Sequence, residues 1–210
     1  MPKRILLVDN YDSFTHNIRH LFENVGDVVI TVLRNDDPSL RARIRRADFS
    51  GVVIGPGPGS PEDQTYFGYN KEIILKDAGF QLPLLGICLG FQGIYHLFGG
   101  KLKLGFQPVH GKTSPLFITD ESPILRNVPN YTPVMRYHSI VADTLAGIPD
   151  CLKITACTAR SDGQGVNLDE PMALEHRTRS IYGVQFHPES FATPSGSIIA
   201  RNFVSLCRSF

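Results

Sequence analysis

Four short apolar runs mark the first half of the chain: Ile5-Leu6-Leu7-Val8, Val28 to Leu33, Gly51 to Ile54 and Leu84 to Ile87. Runs of this length suit strands buried on both faces of a parallel sheet. The stretches between them take helical spacing. Ile18, Leu21, Phe22 and Val25 line one face of a helix that Asp12 or Ser13 can cap and Gly26 ends. Leu40 to Ala47 and the region around Tyr69 to Ala78 predict two further helices, and another follows Ile87 and runs to Gly99-Gly100. After Gly100 the pattern changes. Lys101 to Leu104, Leu116 to Thr119, Leu152 to Thr158, Met172 to Glu175 and Ile181 to Phe186 read as short strands. Pro108 to Lys112 and Arg136 to Ser139 read as polar segments, and Arg160 to Asp169, with Asp162-Gly163 and Gly165, as a hairpin loop in solvent. Ser197 to Cys207 closes the chain as an amphipathic helix carrying Ile198, Ile199, Phe203 and Leu206. Strands alternating with helices predict one α/β domain over residues 1–210. Its open, mostly parallel central sheet is flanked by helices, with a small antiparallel patch.

Composition narrows the function classes. A 42% hydrophobic and 20% charged chain of 210 residues can build a real core, and a net charge of +1 argues against a nucleic-acid or membrane-surface protein. Arg41, Arg43, Arg45 and Arg46 alternate with Ala42 and Ile44, as on the solvated side of a helix. Cys88, Cys151, Cys157 and Cys207 show neither metal-ligand spacing nor a disulfide framework. Without a signal peptide or a long apolar span, the expected compartment is the reducing cytoplasm.

Candidate chemistry sits at three strand ends. In Gly86-Ile87-Cys88-Leu89-Gly90, a strand turns sharply into a helix, and a Cβ at either glycine would crowd the turn. Such an elbow lifts one side chain to a helix N-terminus, where the dipole favours thiolate over thiol. A buried, inert cysteine is the plainer reading of Cys88 taken alone. Gly55-Pro56-Gly57-Pro58-Gly59-Ser60-Pro61 follows the third strand, where open α/β sheets bind ligands. Proline stiffens such a loop and glycine lets its backbone N–H approach an anion or oxyanion, although an ordinary tight connection remains the alternative. It lacks the Lys-Ser/Thr pair of a P-loop. The last strand runs into His187-Pro188-Glu189. Glu189 can reach back to the His187 imidazole, so Cys88, His187 and Glu189 together offer nucleophile, base and orienting carboxylate.

These motifs together resemble the class I, triad-type glutamine amidotransferases over nearly the whole chain. Asp9-Asn10-Tyr11-Asp12-Ser13-Phe14, His110-Gly111-Lys112 and Tyr137-His138-Ser139 narrow the resemblance to the glutaminase subunits of anthranilate synthase and aminodeoxychorismate synthase. The resemblance implies a flavodoxin-like sheet and a thioester on Cys88, with His187 as base and Glu189 orienting it. It also implies an oxyanion hole from the backbone N–H groups of Gly59 and Leu89. Glutamine would be held by Gln92 and the backbone at Gly57, Ser139 and Ile140. His110, Gly111 and Lys112 would contact a separate, chorismate-binding synthase subunit that receives the ammonia. The family implies no cofactor or metal on this chain, and Mg²⁺ on the synthase. Phe91 stands where many anthranilate synthase subunits have histidine, and Gly55 and Ile140 replace a frequent serine and leucine. Phe91 leans the reading toward aminodeoxychorismate synthase.

Two rivals remain at this level. A stand-alone cysteine hydrolase of γ-glutamyl compounds would use the same triad without a partner. A flavodoxin-like binding module would hold a flavin phosphate in the Gly-Pro loop and be indifferent to Cys88→Ala.

Overall fold

In the computed structural model, residues 1–45, 48–75, 82–161 and 166–208 are described. The strands are β1 (Lys3–Asp9), β2 (Val28–Arg34), β3 (Gly51–Ile54), β4 (Leu84–Ile87), β5 (Leu102–Ile118), β6 (Pro133–Ala142), β7 (Leu152–Ser161), β8 (Val166–His176) and β9 (Ile181–Val184). The helices are α1 (Thr15–Glu23), α2 (Leu40–Arg45), α3 (Gln64–Phe67), α4 (Asn70–Leu75), α5 (Leu89–Leu97) and α6 (Gly196–Leu206). Among the described residues the strands pair in the order β2-β1-β3-β4-β9-β8-β7-β5-β6. The first five in that order are parallel, and β8, β7, β5 and β6 continue the sheet antiparallel.

The continuous apolar runs are buried on both faces because helices cover both. Ile5 and Leu7 point into one core with Ile18, Phe22 and Phe203, under α1 and α6. Leu6 and Val8 point into the other with Leu40, Ile73, Phe91 and Ile94, under α2, α4 and α5. Parallel register sets the carboxyl ends of β1, β3, β4 and β9 at one edge of the sheet. The loops after β1 and β3, the elbow after β4 and the His187 segment after β9 therefore meet there. Among the described residues no helix is long and apolar enough to cross a membrane.

Several local expectations are revised. Phe14 is the N-cap residue of α1 and makes no side-chain cap bond. Asp12 instead accepts from the Phe14 N–H at 2.7 Å, in the turn before the helix. Helix α1 ends at Glu23, ahead of Gly26. The helix expected around Tyr69 to Ala78 appears as α3 and α4, divided at Gly68, whose φ is +50° and where a Cβ would lie 2.5 Å from the Asn35 carbonyl oxygen. Its end beyond Leu75 lies outside the described residues, as do Arg46, Ala47 and the Asp162-Gly163 turn. Lys101 to Leu104 and Leu116 to Thr119 belong to the single strand β5, which carries Pro108 to Lys112 between them. Arg136 to Ser139 lie in β6, and much of the expected loop Arg160 to Asp169 is strand. Register shifts between Leu104 and Val109 and between His110 and Lys112 absorb Pro108 and Gly111. Such irregular pairing breaks the period-two pattern by which strands are read.

Candidate active site

Cys88 lies between β4 and α5 with φ 51° and ψ −98°, a conformation that non-glycine residues rarely adopt. Strain of this kind costs about 1–3 kcal/mol and persists where packing enforces it. Here the packing is visible. A Cβ on Gly86 would lie 2.5 Å from the Gly90 carbonyl carbon and oxygen, and one on Gly90 would lie 2.5 Å from the Ile54 carbonyl oxygen. The turn closes only with glycine at both positions, as the sequence suggested. Cys88 is 6% exposed, and its N–H donates to the Val184 carbonyl at 2.9 Å.

Beyond β9, the His187 N–H bonds to the Met135 carbonyl at 2.9 Å, and the Thr193 hydroxyl donates to the His187 carbonyl at 2.8 Å. Its Nδ1 lies 2.6 Å from Glu189 Oε1, and both side chains are almost wholly buried. Burial opposes charge on the ring. The Cys88 sulfur and the Glu189 carboxylate outweigh it and raise the imidazole from its usual 6.5 to about 10. His187 Nε2 has no aligned hydrogen bond in this state, so its coupling to the thiol rests on proximity. Among the other thiols, Cys157 is pushed up to about 11 and Cys207 to about 12 by burial.

The loop after β1 closes over the base. Asp9 accepts from the Asp12 N–H and the Thr15 hydroxyl, so the loop is knit to the start of α1. Phe14 stacks on Tyr137 with ring centroids 5.6 Å apart, and Tyr137 meets His187 edge-on at 5.2 Å. Burial raises the Asp12 carboxyl above its usual range, with the Phe14 N–H opposing. Just outside Glu189, Phe14, Tyr137 and Phe191 frame a cavity of about 230 Å³. A larger cavity of about 590 Å³, lined by Asp120, Glu121 and Lys153, contains none of the triad.

The Gly-Pro loop packs against the elbow. A Cβ on Gly57 would lie 2.5 Å from Asn10 Cβ and 3.0 Å from Leu89 Cδ2. Gly59 has φ +76° and lies against the Tyr66 ring. Three buried asparagines hold this loop. Asn10 donates to the Gly55 carbonyl at 2.7 Å, and its own Oδ1 accepts from Asn35 at 2.9 Å and Asn70 at 2.6 Å. The Leu89 N–H opens α5 and has no partner within the helix.

Of the residues expected at the glutamine site, Gln92 and Ile140 meet directly, Gln92 Nε2 donating to the Ile140 carbonyl at 3.0 Å. Ser139 is the neighbouring half-buried position on β6. His110, Gly111 and Lys112 are exposed on β5, with His110 opposite Tyr137. Among the described residues no group of three His, Cys, Asp or Glu side chains is arranged to hold a metal.

The structure adds residues that the sequence did not single out. Gln185 Nε2 donates to Cys88 Sγ at 3.6 Å. Its one available signal was polarity inside an otherwise apolar terminal strand. Arg136, also buried, donates to His138 Nε2 at 3.2 Å and to Ser114 at 3.1 Å and pairs with Glu170. Burial and Arg136 hold the His138 imidazole down to about 3, so it is neutral.

Known proteins share this organisation. The chain is 45% identical over 201 residues to anthranilate synthase component 2 of Lactococcus lactis, covering 96% of this chain and 93% of that one. It is 39% identical over 203 residues to aminodeoxychorismate synthase of Streptomyces pristinaespiralis, covering 97% of this chain and 26% of that longer protein. A solved GMP synthase subunit from Thermoplasma acidophilum shares the fold with a TM-score of 0.81 at 24% identity, over 99% of this chain and 94% of that one. The family model for class-I glutamine amidotransferases matches residues 6–206. The chain belongs to the class-I glutamine amidotransferases.

Proposed function

We propose that Cys88, His187 and Glu189 carry the glutaminase half-reaction and that the ammonia passes to a chorismate-aminating synthase. The observation that supports this most directly is the 2.6 Å contact of His187 with Glu189 beside the strained Cys88. The Cys88 proton moves to His187, whose raised imidazole favours the thiolate–imidazolium pair. Sulfur attacks the side-chain amide carbon of glutamine, and the carbonyl oxygen takes the negative charge. The N–H groups of Gly59 and Leu89 stabilise it, a type of donor whose loss costs ~100-fold or more. The intermediate collapses with cleavage of the C–N bond, and His187 returns its proton to the departing ammonia. Water, activated by His187, then cleaves the thioester, releasing glutamate and restoring Cys88. Gln92, Gly57, Ser139 and Ile140 hold the α-amino and α-carboxylate groups.

Free ammonia is protonated and lost in water, so direct delivery to a docked synthase gives the half-reaction its use. The names of the Lactococcus and Streptomyces relatives support a partner of this class, with the exposed β5 segment His110 to Lys112 at the contact. Any Mg²⁺ belongs to that synthase, and both proteins work in the cytoplasm.

Glutamate release from glutamine tests the reading. It is measured on the chain alone and with each large subunit, anthranilate or aminodeoxychorismate synthase, in the presence of chorismate. Stimulation by one subunit, abolished by Cys88→Ser, supports the proposal and names the pathway. Stimulation by both marks a shared subunit. Full activity alone, unchanged by either, instead favours a stand-alone hydrolase.

A further inference from the structure

A buried polar group outside the triad touches the nucleophile. Gln185 is 0% exposed, and its N–H bonds to the Met172 carbonyl at 2.9 Å. Its side-chain Nε2 lies 3.6 Å from Cys88 Sγ. Neighbouring groups dictate which end of this amide faces the sulfur. The Ile140 carbonyl can only accept, so Gln92 must turn its nitrogen toward it, at 3.0 Å. The same nitrogen lies 3.3 Å from Gln185 Oε1, which makes that oxygen the acceptor. Gln185 is left with its N–H groups toward Cys88. A backbone carbonyl on β6 thus orients, through two glutamines, a hydrogen-bond donor at the reacting atom.

We propose that Gln185 is a further catalytic residue, whose side-chain N–H holds the Cys88 sulfur and stabilises its thiolate before attack. The proposal rests on the reading of Cys88 as the nucleophile. A thiolate accepts a hydrogen bond far better than a thiol, so the donor favours the reactive form. Gln185 and His187 reach the sulfur from the same terminal segment. His187 takes the proton, and Gln185 stabilises the charge left behind. The titratable groups around the pair are Glu189 against His187, Asp12 from the loop after β1, and neutral His138 from β6. None of these supplies an uncharged N–H to the sulfur.

The test follows alkylation of Cys88 by iodoacetamide against pH, read on the peptide containing it. Kinetics of glutamate release by the full chain with its synthase run in parallel. Gln185→Met keeps the length of the side chain and removes the donor. Alkylation at neutral pH is expected to fall about tenfold, with its midpoint moved to higher pH. The rate constant kcat is expected to fall with KM little changed. Gln185→Glu moves the midpoint further, because a carboxylate opposes the thiolate. A wild-type midpoint in folded Gln185→Met overturns the proposal, whatever the activity. If Gln185→Met does not fold, the wild-type chain decides. The Gln185 side-chain amide proton resonance must titrate together with the ultraviolet absorbance of the thiolate and cease to do so in Cys88→Ser. A resonance indifferent to that titration overturns the proposal. Glutaminase activity surviving in Cys88→Ser overturns the nucleophile reading itself, and this proposal with it. An inactive Cys88→Ser beside a wild-type midpoint in Gln185→Met removes only the role of Gln185.

Discussion

The Cys88 N–H donates to the Val184 carbonyl at 2.9 Å, so the elbow hangs from the strand that leads to His187. The nucleophile and its base share one backbone anchor. Their separation therefore depends on how β4 seats against β9, and on the glycines that let the elbow fold tightly enough to reach it.

Gly90→Ala tests that dependence. The new Cβ would lie 2.5 Å from the Ile54 carbonyl oxygen, which belongs to the backbone of β3 and cannot turn aside. Denaturant unfolding should show a loss of about 1–3 kcal/mol, the usual cost of overpacking. Glutaminase activity should fall further than the fraction unfolded explains, because the displaced elbow carries Cys88 away from His187.

Glu189→Gln tests the orienting carboxylate. The substitution preserves the shape of the side chain and removes the charge that helps raise the His187 imidazole. The rate constant kcat should drop about a hundredfold or more, the scale of general acid–base assistance. The alkaline limit of the rate profile should move to lower pH, since the imidazolium has lost its anionic partner. An unchanged alkaline limit would show that Glu189 does not set the charge state of His187.

His138→Gln tests the neutral histidine beside Arg136. Burial and Arg136 hold its folded imidazole at about 3, below the usual 6.5. The unfolded chain therefore binds a proton there that the folded chain does not, between pH 6.5 and about 3. Stability is full above 6.5 and is lost as pH falls through that window, by up to about 1.4 kcal/mol per pH unit. Glutamine keeps an acceptor for Arg136 but does not titrate. Unfolding free energies should show the variant gaining on the wild type as pH falls through the window, with parallel curves above it.

Legibility in the sequence followed the range of the interactions. The buried strand Gly51–Ile54 and the elbow around Cys88 were readable because apolar runs and the Gly-x-Cys-x-Gly spacing are local signals. His187-Pro188-Glu189 was readable for the same reason, since its hydrogen bond spans two residues. Strand β5 was not, because Pro108 and Gly111 look like breaks until β6 supplies the irregular partner that tolerates them. Arg136 and His138 seemed to lie in a polar segment, but their burial depends on Ser114 and Glu170, which come from other strands.

The sequence by itself determined the α/β alternation, the three motifs at the strand ends and the chemistry their residues can perform. Each of these resides in side-chain type and short spacing. Only the tertiary structure decided how the motifs are held. Asn10 meets Asn35, Asn70 and the Gly55 carbonyl at one buried point. Gln185 is turned toward Cys88 by Gln92 and Ile140. An amide side chain can donate or accept in any direction, so its role is set by which partners the folded chain brings to it.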